Sequence, residues 1–315
     1  MNSQQFMIPA VDIKCVAEPN EEKAIPVCDE SLLKATKQIH DTFRDYGFCY
    51  LTNHGIPTSI VNDIFSSSRA FFELPVSIKQ RYARPIETNH GWAACERESL
   101  NPERPYADMK ESFNFSPCDN GQWPKEVPEM RNHFVQFYDC CYTLTKQVLR
   151  LLSLALEIKD LDYVVNCHKL IGQKGNYTTL RSLYYPSVGK DLKEGQIQCG
   201  EHSDYGTITL LFQDNTGGLQ VLGKDGLYHD VTPLPDAVLV NIGDLMQRWT
   251  ADKYPATKHR VIVPEQALKE GRSRQSLAFF VHPDDSTLIS CLDGSSLYPP
   301  ITSYDYLKQR FEATY

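Results

Sequence analysis

The chain has 315 residues, 41% of them hydrophobic and 23% charged, and its 32 basic against 40 acidic side chains leave a formal charge of −8. That balance excludes a binder of nucleic acid or of anionic membrane, both of which need a basic footprint. The ordinary globular composition excludes a disordered or collagen-like chain, and no apolar run reaches the about 18 residues needed to span a bilayer.

The opening stretch, MNSQQFMIPAVDIK, lacks the basic and apolar regions of a secretory signal. Ten cysteines are scattered without a single CxxC pair, and only Cys140 and Cys141 are neighbours. Neither a structural zinc site nor a disulfide framework is indicated, so the thiols read as reduced in a cytoplasmic protein.

In chain order, the apolar spacing of Leu32, Leu33, Ala35, Ile39 and Phe43 predicts an amphipathic helix over Asp29 to Tyr46. A short strand, Gly47 to Leu51, follows and closes on the turn Asn53-His54-Gly55. Pro57 and Thr58 open a second helix containing Ile60, Ile64, Phe71 and Phe72. Residues 83 to 128, rich in Pro, Asn and Gly, read as loops. The longest helix is expected from Glu129 to Leu156, with Phe134, Tyr138, Tyr142, Val148, Leu151, Leu152 and Ala155 as its apolar stripe.

Near Asn176 the character changes. Thr179 to Tyr185, Thr207 to Phe212, Leu219 to Leu222, Ala237 to Ile242, Arg260 to Val263 and Ser276 to Val281 are short β-rich runs separated by turn residues. Many closely spaced short strands suggest a sandwich or barrel, with the helices packed outside it. The chain reads as one compact catalytic unit over 1–315. It comprises a mostly helical region at 1–172, a β core at 173–285 and a C-terminal helix or tail at 286–315, where Tyr304 to Phe311 is the helical run. Such a helix either closes a pocket mouth or simply covers the core.

The chemistry concentrates in CGEHSDYGTITLL, Cys199 to Leu211. In extended chain, His202 and Asp204 project to the same side, while Ser203 faces the other way. An isolated His-x-Asp is more often inert than not. His259, in KHRVIV at a later strand, changes the weighing: two imidazoles and one carboxylate on neighbouring strands occupy one face of an octahedral ion and leave three positions open, as in non-haem Fe(II) oxygenases. Among the nine histidines, His40, His54 and His229 read as hydrogen-bonded structural residues, and His282 is the replacement candidate for His259. Arg274 and Ser276 form a second pair two apart. On a strand they share a face, and a buried guanidinium there needs an anion, which a diacid co-substrate supplies.

With these residues assembled, the chain resembles the isopenicillin N synthase-like 2-oxoglutarate/Fe(II)-dependent dioxygenase superfamily. Ile8 to Ile13 (IPAVDI) is similar to the family's opening strand, and FRDYGFCYLTNHGI (Phe43 to Ile56) to its "GF…NHGI" signature. Phe71 to Pro75 and Asp108 to Phe113 are also characteristic. GEHSDYGTITLLFQD, GGLQV, VNIGDLMQRWT, KHRV and RQSLAFF then follow in family order. The resemblance implies a mainly β fold with flanking helices around a double-stranded β-helix, or jelly-roll, core. It implies Fe(II) held by His202, Asp204 and His259, and 2-oxoglutarate held by Arg274 and Ser276, with O₂ consumed and succinate and CO₂ released. Tyr185, in Leu183-Tyr184-Tyr185-Pro186, is the matching third contact to 2-oxoglutarate; Leu183 stands where the family motif has Asn. Lys110 and Glu111 belong to a family motif read as an ion pair.

Strand parity from Arg274 and Ser276 puts Phe280 on their face, toward the substrate or simply in the core. Trp92, Arg97, Tyr205 and Trp249 are further substrate candidates, with Arg97, in the polar run CERES, equally readable as a solvated surface residue. The expected protein is a monomeric oxygenase that hydroxylates, desaturates or cyclises a small molecule. The alternatives are an Fe(II) oxidase of the same fold that does not use 2-oxoglutarate, like isopenicillin N synthase or aminocyclopropane-carboxylate oxidase, and a binding protein without turnover. A zinc hydrolase would leave the Arg/Ser pair without a purpose.

Overall fold

The computed structural model describes residues 6–17, 29–85, 88–95, 107–187 and 197–314. In its first half, β1 (Ala10–Asp12) and a single-turn α1 (Lys14–Ala17) precede α2 (Glu30–Tyr46), β2 (Phe48–Thr52), α3 (Thr58–Phe72) and a single-turn α4 (Val76–Lys79). Then come β3 (Gly91–Ala93), β4 (Glu111–Phe115), the long α5 (Met130–Ala155) and a single-turn α6 (Tyr163–Asn166). The three predicted long helices are present. The Asp29 carboxylate caps α2 by accepting from Ser31 N–H at 2.8 Å, and Leu32, Ala35, Ile39 and Phe43 are its buried stripe. The helix stops at Gly47, whose φ of 69° is open to glycine at no steric cost. A Cβ there would collide with the Thr257 hydroxyl and the Pro255 carbonyl, in the segment that leads into His259.

The second half supplies β5 (Thr179–Tyr185), β6 (Cys199–His202), β7 (Ile208–Gln213), β8 (Leu219–Leu222), β9 (Tyr228–Asp230), β10 (Val238–Ile242), α7 (Asp244–Trp249) and β11 (His259–Val261). It ends with α8 (Glu265–Glu270), β12 (Arg274–Val281), β13 (Leu288–Ile289), β14 (Ile301–Thr302) and α9 (Ser303–Thr314). The major sheet runs β1-β2-β10-β7-β12-β5-β4-β3, and the minor sheet β6-β11-β8-β9. Every pairing is antiparallel except β1 with β2. One apolar cluster joins Phe48, Tyr50, Leu183, Tyr185, Leu239 and Ala278 of the major sheet to Cys199, Leu219, Val221 and Val261 of the minor one. The two sheets therefore pack face to face, and the core is the expected double-stranded β-helix with helices outside.

Residues 83–128 were expected to be loops, but β3 and β4 lie within them and extend the major sheet to its edge. Their brevity hides them, and every residue of β4, ESFNF, is buried, so no polar alternation marks it. Four of the eight major-sheet strands thus come from the helical region. The strand of Arg274 starts at that residue rather than at Ser276, and β6, which ends on His202, was not anticipated.

Along each major-sheet strand, alternate residues face opposite ways. Leu180, Tyr184, Leu210, Phe212, Val238, Val240, Leu277, Phe279 and Val281 join Phe113, Phe115 and the stripes of α2, α3 and α5 in one large apolar core. Their neighbours point inward, toward the minor sheet.

Candidate active site

Three side chains converge between the sheets. One ligand atom each from His202, Asp204 and His259 lies within 4.8 Å of the others. His202 ends β6, His259 opens β11, and the two are directly paired in the ladder. Their rings stand 4.3 Å apart, and the Asp204 Oδ1 atom lies 3.7 Å from His202 Nε2 and 3.9 Å from His259 Nε2.

The surroundings fix which atoms face the centre. His202 Nδ1–H donates to the Gly200 carbonyl at 2.8 Å, and His259 Nδ1–H to the Thr257 carbonyl at 3.2 Å, so both Nε2 lone pairs face inward. Asp204 Oδ2 accepts from the Thr209 hydroxyl at 2.6 Å and from Asn241 Nδ2 at 2.7 Å, which leaves Oδ1 for the centre. Burial, with the His259 imidazole close beside it, holds the His202 pKa down to about 4, so it stays neutral and able to ligate. Burial pushes the Asp204 carboxyl up, but the two imidazoles and its hydrogen bonds outweigh this and hold it ionised. Two imidazoles with Nε2 turned inward and one carboxylate, each pre-aimed, are a donor set that fits ferrous iron with open positions.

Arg274 is 1% exposed on β12 and directly opposite Tyr185 on β5. Its Nε donates to the Gly217 carbonyl at 2.7 Å, one Nη to the Gln213 side-chain oxygen at 2.8 Å and the other to Ser276 Oγ at 3.3 Å. Its guanidinium lies 4.9 Å from the Tyr185 ring centre. All three acceptors are neutral, so a buried cation is left for an anionic ligand to balance. Burial pushes the Tyr185 hydroxyl up to about 12, leaving it a hydrogen-bond donor. Leu183 pairs with Ser276 across the ladder and packs in the inter-sheet cluster.

Of the substrate candidates, Phe280 is brought to this face: it lies half-buried opposite Thr209, the residue that holds Asp204. Tyr205 follows Asp204 in a turn covered by α9, with the Arg310 guanidinium 4.6 Å from its ring centre and the Phe311 ring at 6.1 Å. Tyr306 anchors that helix by donating to Asp244 Oδ2 at 3.0 Å, while the Asp244 N–H donates to the Asp204 carbonyl.

Two candidates are corrected. Trp92 pairs with Phe113 on the helix-facing side, where its Nε1–H donates to Glu111 at 2.6 Å. Trp249 is fully buried at the end of α7 against Tyr163 and His168. Both belong to the large apolar core and not to the cluster between the sheets. Arg97 lies outside the described residues. Lys110 and Glu111 do not pair with each other, since neighbours on extended chain diverge. Lys110 bonds Asp108 at 2.8 Å, and Glu111 bonds Lys79 at 2.7 Å. His282 is buried beside Gly206, outside the ligand group. His40, His54 and His229 make ordinary hydrogen bonds, as expected. The orienting residues Gly200, Thr257, Thr209, Asn241, Gln213 and Gly217 were not singled out in the sequence: the first two lie two residues before the histidines they hold but act through backbone carbonyls that any residue carries, and the others meet their partners only through the fold.

The comparisons with known proteins point to one superfamily. Residues 176–283 match the model of the 2OG-Fe(II) oxygenase superfamily, and residues 8–135 match the non-haem dioxygenase in morphine synthesis N-terminal family. The chain is 31% identical over 293 residues to the proline hydroxylase buaE of Petromyces alliaceus, covering 85% of this chain and 90% of that protein. It is 31% identical over 307 residues to the 2-oxoglutarate-dependent dioxygenase gloF of Glarea lozoyensis, covering 87% of this chain and 92% of that one. A full-length Neurospora crassa protein crystallised in complex with alpha-KG superposes with a TM-score of 0.85 at 32% identity, covering 100% of this chain and 98% of that one. The same Neurospora protein has been crystallised with alpha-KG and thymine.

Proposed function

The chain belongs to the 2OG-Fe(II) oxygenase superfamily, and from that premise we propose that His202, Asp204 and His259 hold the iron while Arg274, Ser276 and Tyr185 bind 2-oxoglutarate. The protein is a 2-oxoglutarate-dependent dioxygenase that uses Fe(II) and O₂. Bound iron supplies the redox chemistry that couples O₂ to decarboxylation of 2-oxoglutarate, giving succinate and CO₂, and to oxidation of a substrate C–H bond.

The chain's own part is placement. The Gly200 and Thr257 carbonyls keep both imidazoles in the tautomer that ligates, and Thr209 and Asn241 hold the carboxylate with one oxygen inward. Arg274, surrounded by neutral acceptors, receives the distal carboxylate of 2-oxoglutarate, and Ser276 and Tyr185 add hydroxyl donors beside it. Leu183 gives this pocket an apolar wall. Phe280 and Tyr205 flank the space left for the primary substrate, and α9 covers Tyr205 and excludes water there.

The substrate is a small organic molecule, in keeping with the thymine bound by the Neurospora crassa protein and with the proline hydroxylase among the relatives. We place the enzyme in the cytoplasm as a monomer, acting as one unit over 1–315. No helix of the described residues is long and apolar enough to cross a membrane.

The observation that carries this reading is the convergence of the three ligand atoms within 4.8 Å, each with its remaining hydrogen-bonding capacity already engaged. The test is succinate release from 2-oxoglutarate in the presence of Fe(II), O₂ and a panel of small acids, amines and amino-acid derivatives. Succinate formed in step with an oxidised product is the expected result. An oxidised product formed at the same rate without 2-oxoglutarate would point instead to an oxidase of the same fold.

A further inference from the structure

The segment that leads into β4 carries Asp108 and Lys110, both buried, as an ion pair in which Lys110 Nζ donates to Asp108 Oδ2 at 2.8 Å. Lys110 Nζ also lies 3.6 Å from Sγ of Cys199, a member of the cluster between the sheets. The other carboxylate oxygen, Asp108 Oδ1, accepts the backbone N–H of Gly200 at 2.8 Å, so a side chain beside the major sheet holds a peptide of the minor one. That peptide needs holding for two reasons. Among the described residues β6 has β11 as its one strand neighbour, and an edge strand carries backbone groups that no ladder satisfies. The ladder is also irregular: Cys199 pairs with Val261 and His202 with His259, so Gly200 and Glu201 stand together against Arg260. Such a bulge leaves its extra residue outside the ladder and re-aims the side chains around it. His202 follows this bulge, and its Nδ1–H donates to the carbonyl of Gly200 itself. Asp108 and His202 therefore meet at one residue, the carboxylate on its N–H and the imidazole on its C=O.

We propose that Asp108 is a positioning residue for the metal centre: it fixes the bulge at Gly200, and through it the direction in which His202 presents Nε2. Lys110 restrains the carboxylate from its other oxygen. A buried ion pair is weak evidence for stability, because desolvation offsets the attraction. What this pair supplies is a charge-assisted hydrogen bond at a fixed place. Groups that orient a ligating histidine are worth about 10- to 100-fold in metal affinity. This inference rests on the reading of His202, Asp204 and His259 as the metal ligands.

The test uses the full chain without 2-oxoglutarate and Mn(II) as the probe, its affinity read from the EPR signal of the free ion. Asp108→Leu combined with Lys110→Met removes both charges together and should weaken Mn(II) binding at least tenfold. Asp108→Asn combined with Lys110→Met returns an oxygen to the Gly200 N–H and should recover most of that loss. The control is Lys79→Met with Glu111→Gln, which removes the ion pair on the helix-facing side and should leave Mn(II) affinity within twofold. A second readout needs no metal and no variant. Amide exchange in the metal-free, unaltered chain should find the Gly200 N–H protected at least tenfold over open chain, and the Asp108→Leu pair should abolish that protection. Mn(II) affinity within twofold in the Asp108→Leu pair, no recovery with Asp108→Asn, an equal loss in the control, or an unprotected Gly200 amide in the unaltered chain would each overturn the proposal. Failure of Mn(II) to bind an unaltered chain whose Gly200 amide is protected is a distinct result, and it would overturn the reading of the metal site together with this inference.

Discussion

The two faces of the major sheet are both largely buried and yet differ in chemistry. The helix-facing side carries Phe113, Phe115, Tyr184, Leu210, Phe212, Leu277 and Phe279, interlocked with the stripes of α2, α3 and α5. The inner side, built from the intervening residues of the same strands, carries Asn114, Arg181, Thr209, Asn241, Arg274 and Ser276. Each strand thus serves folding with one set of residues and chemistry with the next. The buried polar residues are tolerated because nearly every one is held by a named partner, and the guanidinium left among neutral acceptors is the one that needs a ligand.

That contrast can be broken by substituting one face at a time. The largest expected effect is Asp204→Asn, which keeps an oxygen for Thr209 and Asn241 but removes the inward carboxylate oxygen. Turnover and iron binding should vanish while thermal unfolding changes by no more than about 1 kcal/mol. Retained turnover would mean that another carboxylate ligates. On the opposite face, one residue along β12 from Ala278, the partner of Arg181, Phe279→Ala should cost about 3–5 kcal/mol in denaturant unfolding. The surviving folded fraction should keep its affinity for 2-oxoglutarate, and a selective loss of that affinity would show that the faces are not separable.

Acid should act through the packing side. Burial holds His168, wedged between the Val164 carbonyl and the Thr207 hydroxyl, at a pKa of about 4. The unfolded chain takes up a proton near pH 6.5 that the folded chain refuses until about pH 4, so stability is full above that window and falls as pH drops through it. For this imidazole the fall amounts to about 3 kcal/mol. Denaturant unfolding of the metal-free protein from pH 7 to 4 measures it, and His168→Gln should remove its share of the slope, leaving that of His202 and His282, which burial also holds at about 4. An unchanged slope would put the sensitivity elsewhere. The smallest effect belongs to Trp92→Phe. Losing the Nε1–H bond to Glu111 should cost about 1–3 kcal/mol of stability, with the KM of any substrate unaltered. A raised KM would return Trp92 to the pocket.

His202 with Asp204, and Arg274 with Ser276, were legible in the sequence as pairs because a spacing of two residues on extended chain is itself geometry, whereas His259 was picked out as the histidine opening a later strand. A sandwich or barrel was legible from the density of short β runs after Asn176, and its jelly-roll form from the family resemblance. Trp92 and Trp249 were misplaced for the converse reason: residue type alone does not say which face a large aromatic takes. The face of Trp92 depends on its pairing with β4, a strand too short and too fully buried to be recognised. The hydroxyl of Thr209 and the amide of Asn241 were illegible because they reach Asp204 from other strands, and the two carbonyls, although only two residues before their histidines, were illegible because every residue carries one. Asp108 was passed over because nothing in DMKESF shows that its carboxylate meets the Gly200 N–H of another sheet.

The central claim is that one ferrous ion sits at His202, Asp204 and His259 with 2-oxoglutarate anchored on Arg274. Anaerobic titration of the full chain with Fe(II) and then 2-oxoglutarate, followed in the visible, tests it most directly. A charge-transfer band should grow to one equivalent in the unaltered chain. It should be absent in Asp204→Asn, and in Arg274→Gln it should need roughly tenfold or more extra 2-oxoglutarate, the loss of a charge-assisted contact of about 1.5–3 kcal/mol. An equally intense band in Asp204→Asn, or an unmoved midpoint in Arg274→Gln, would contradict the account.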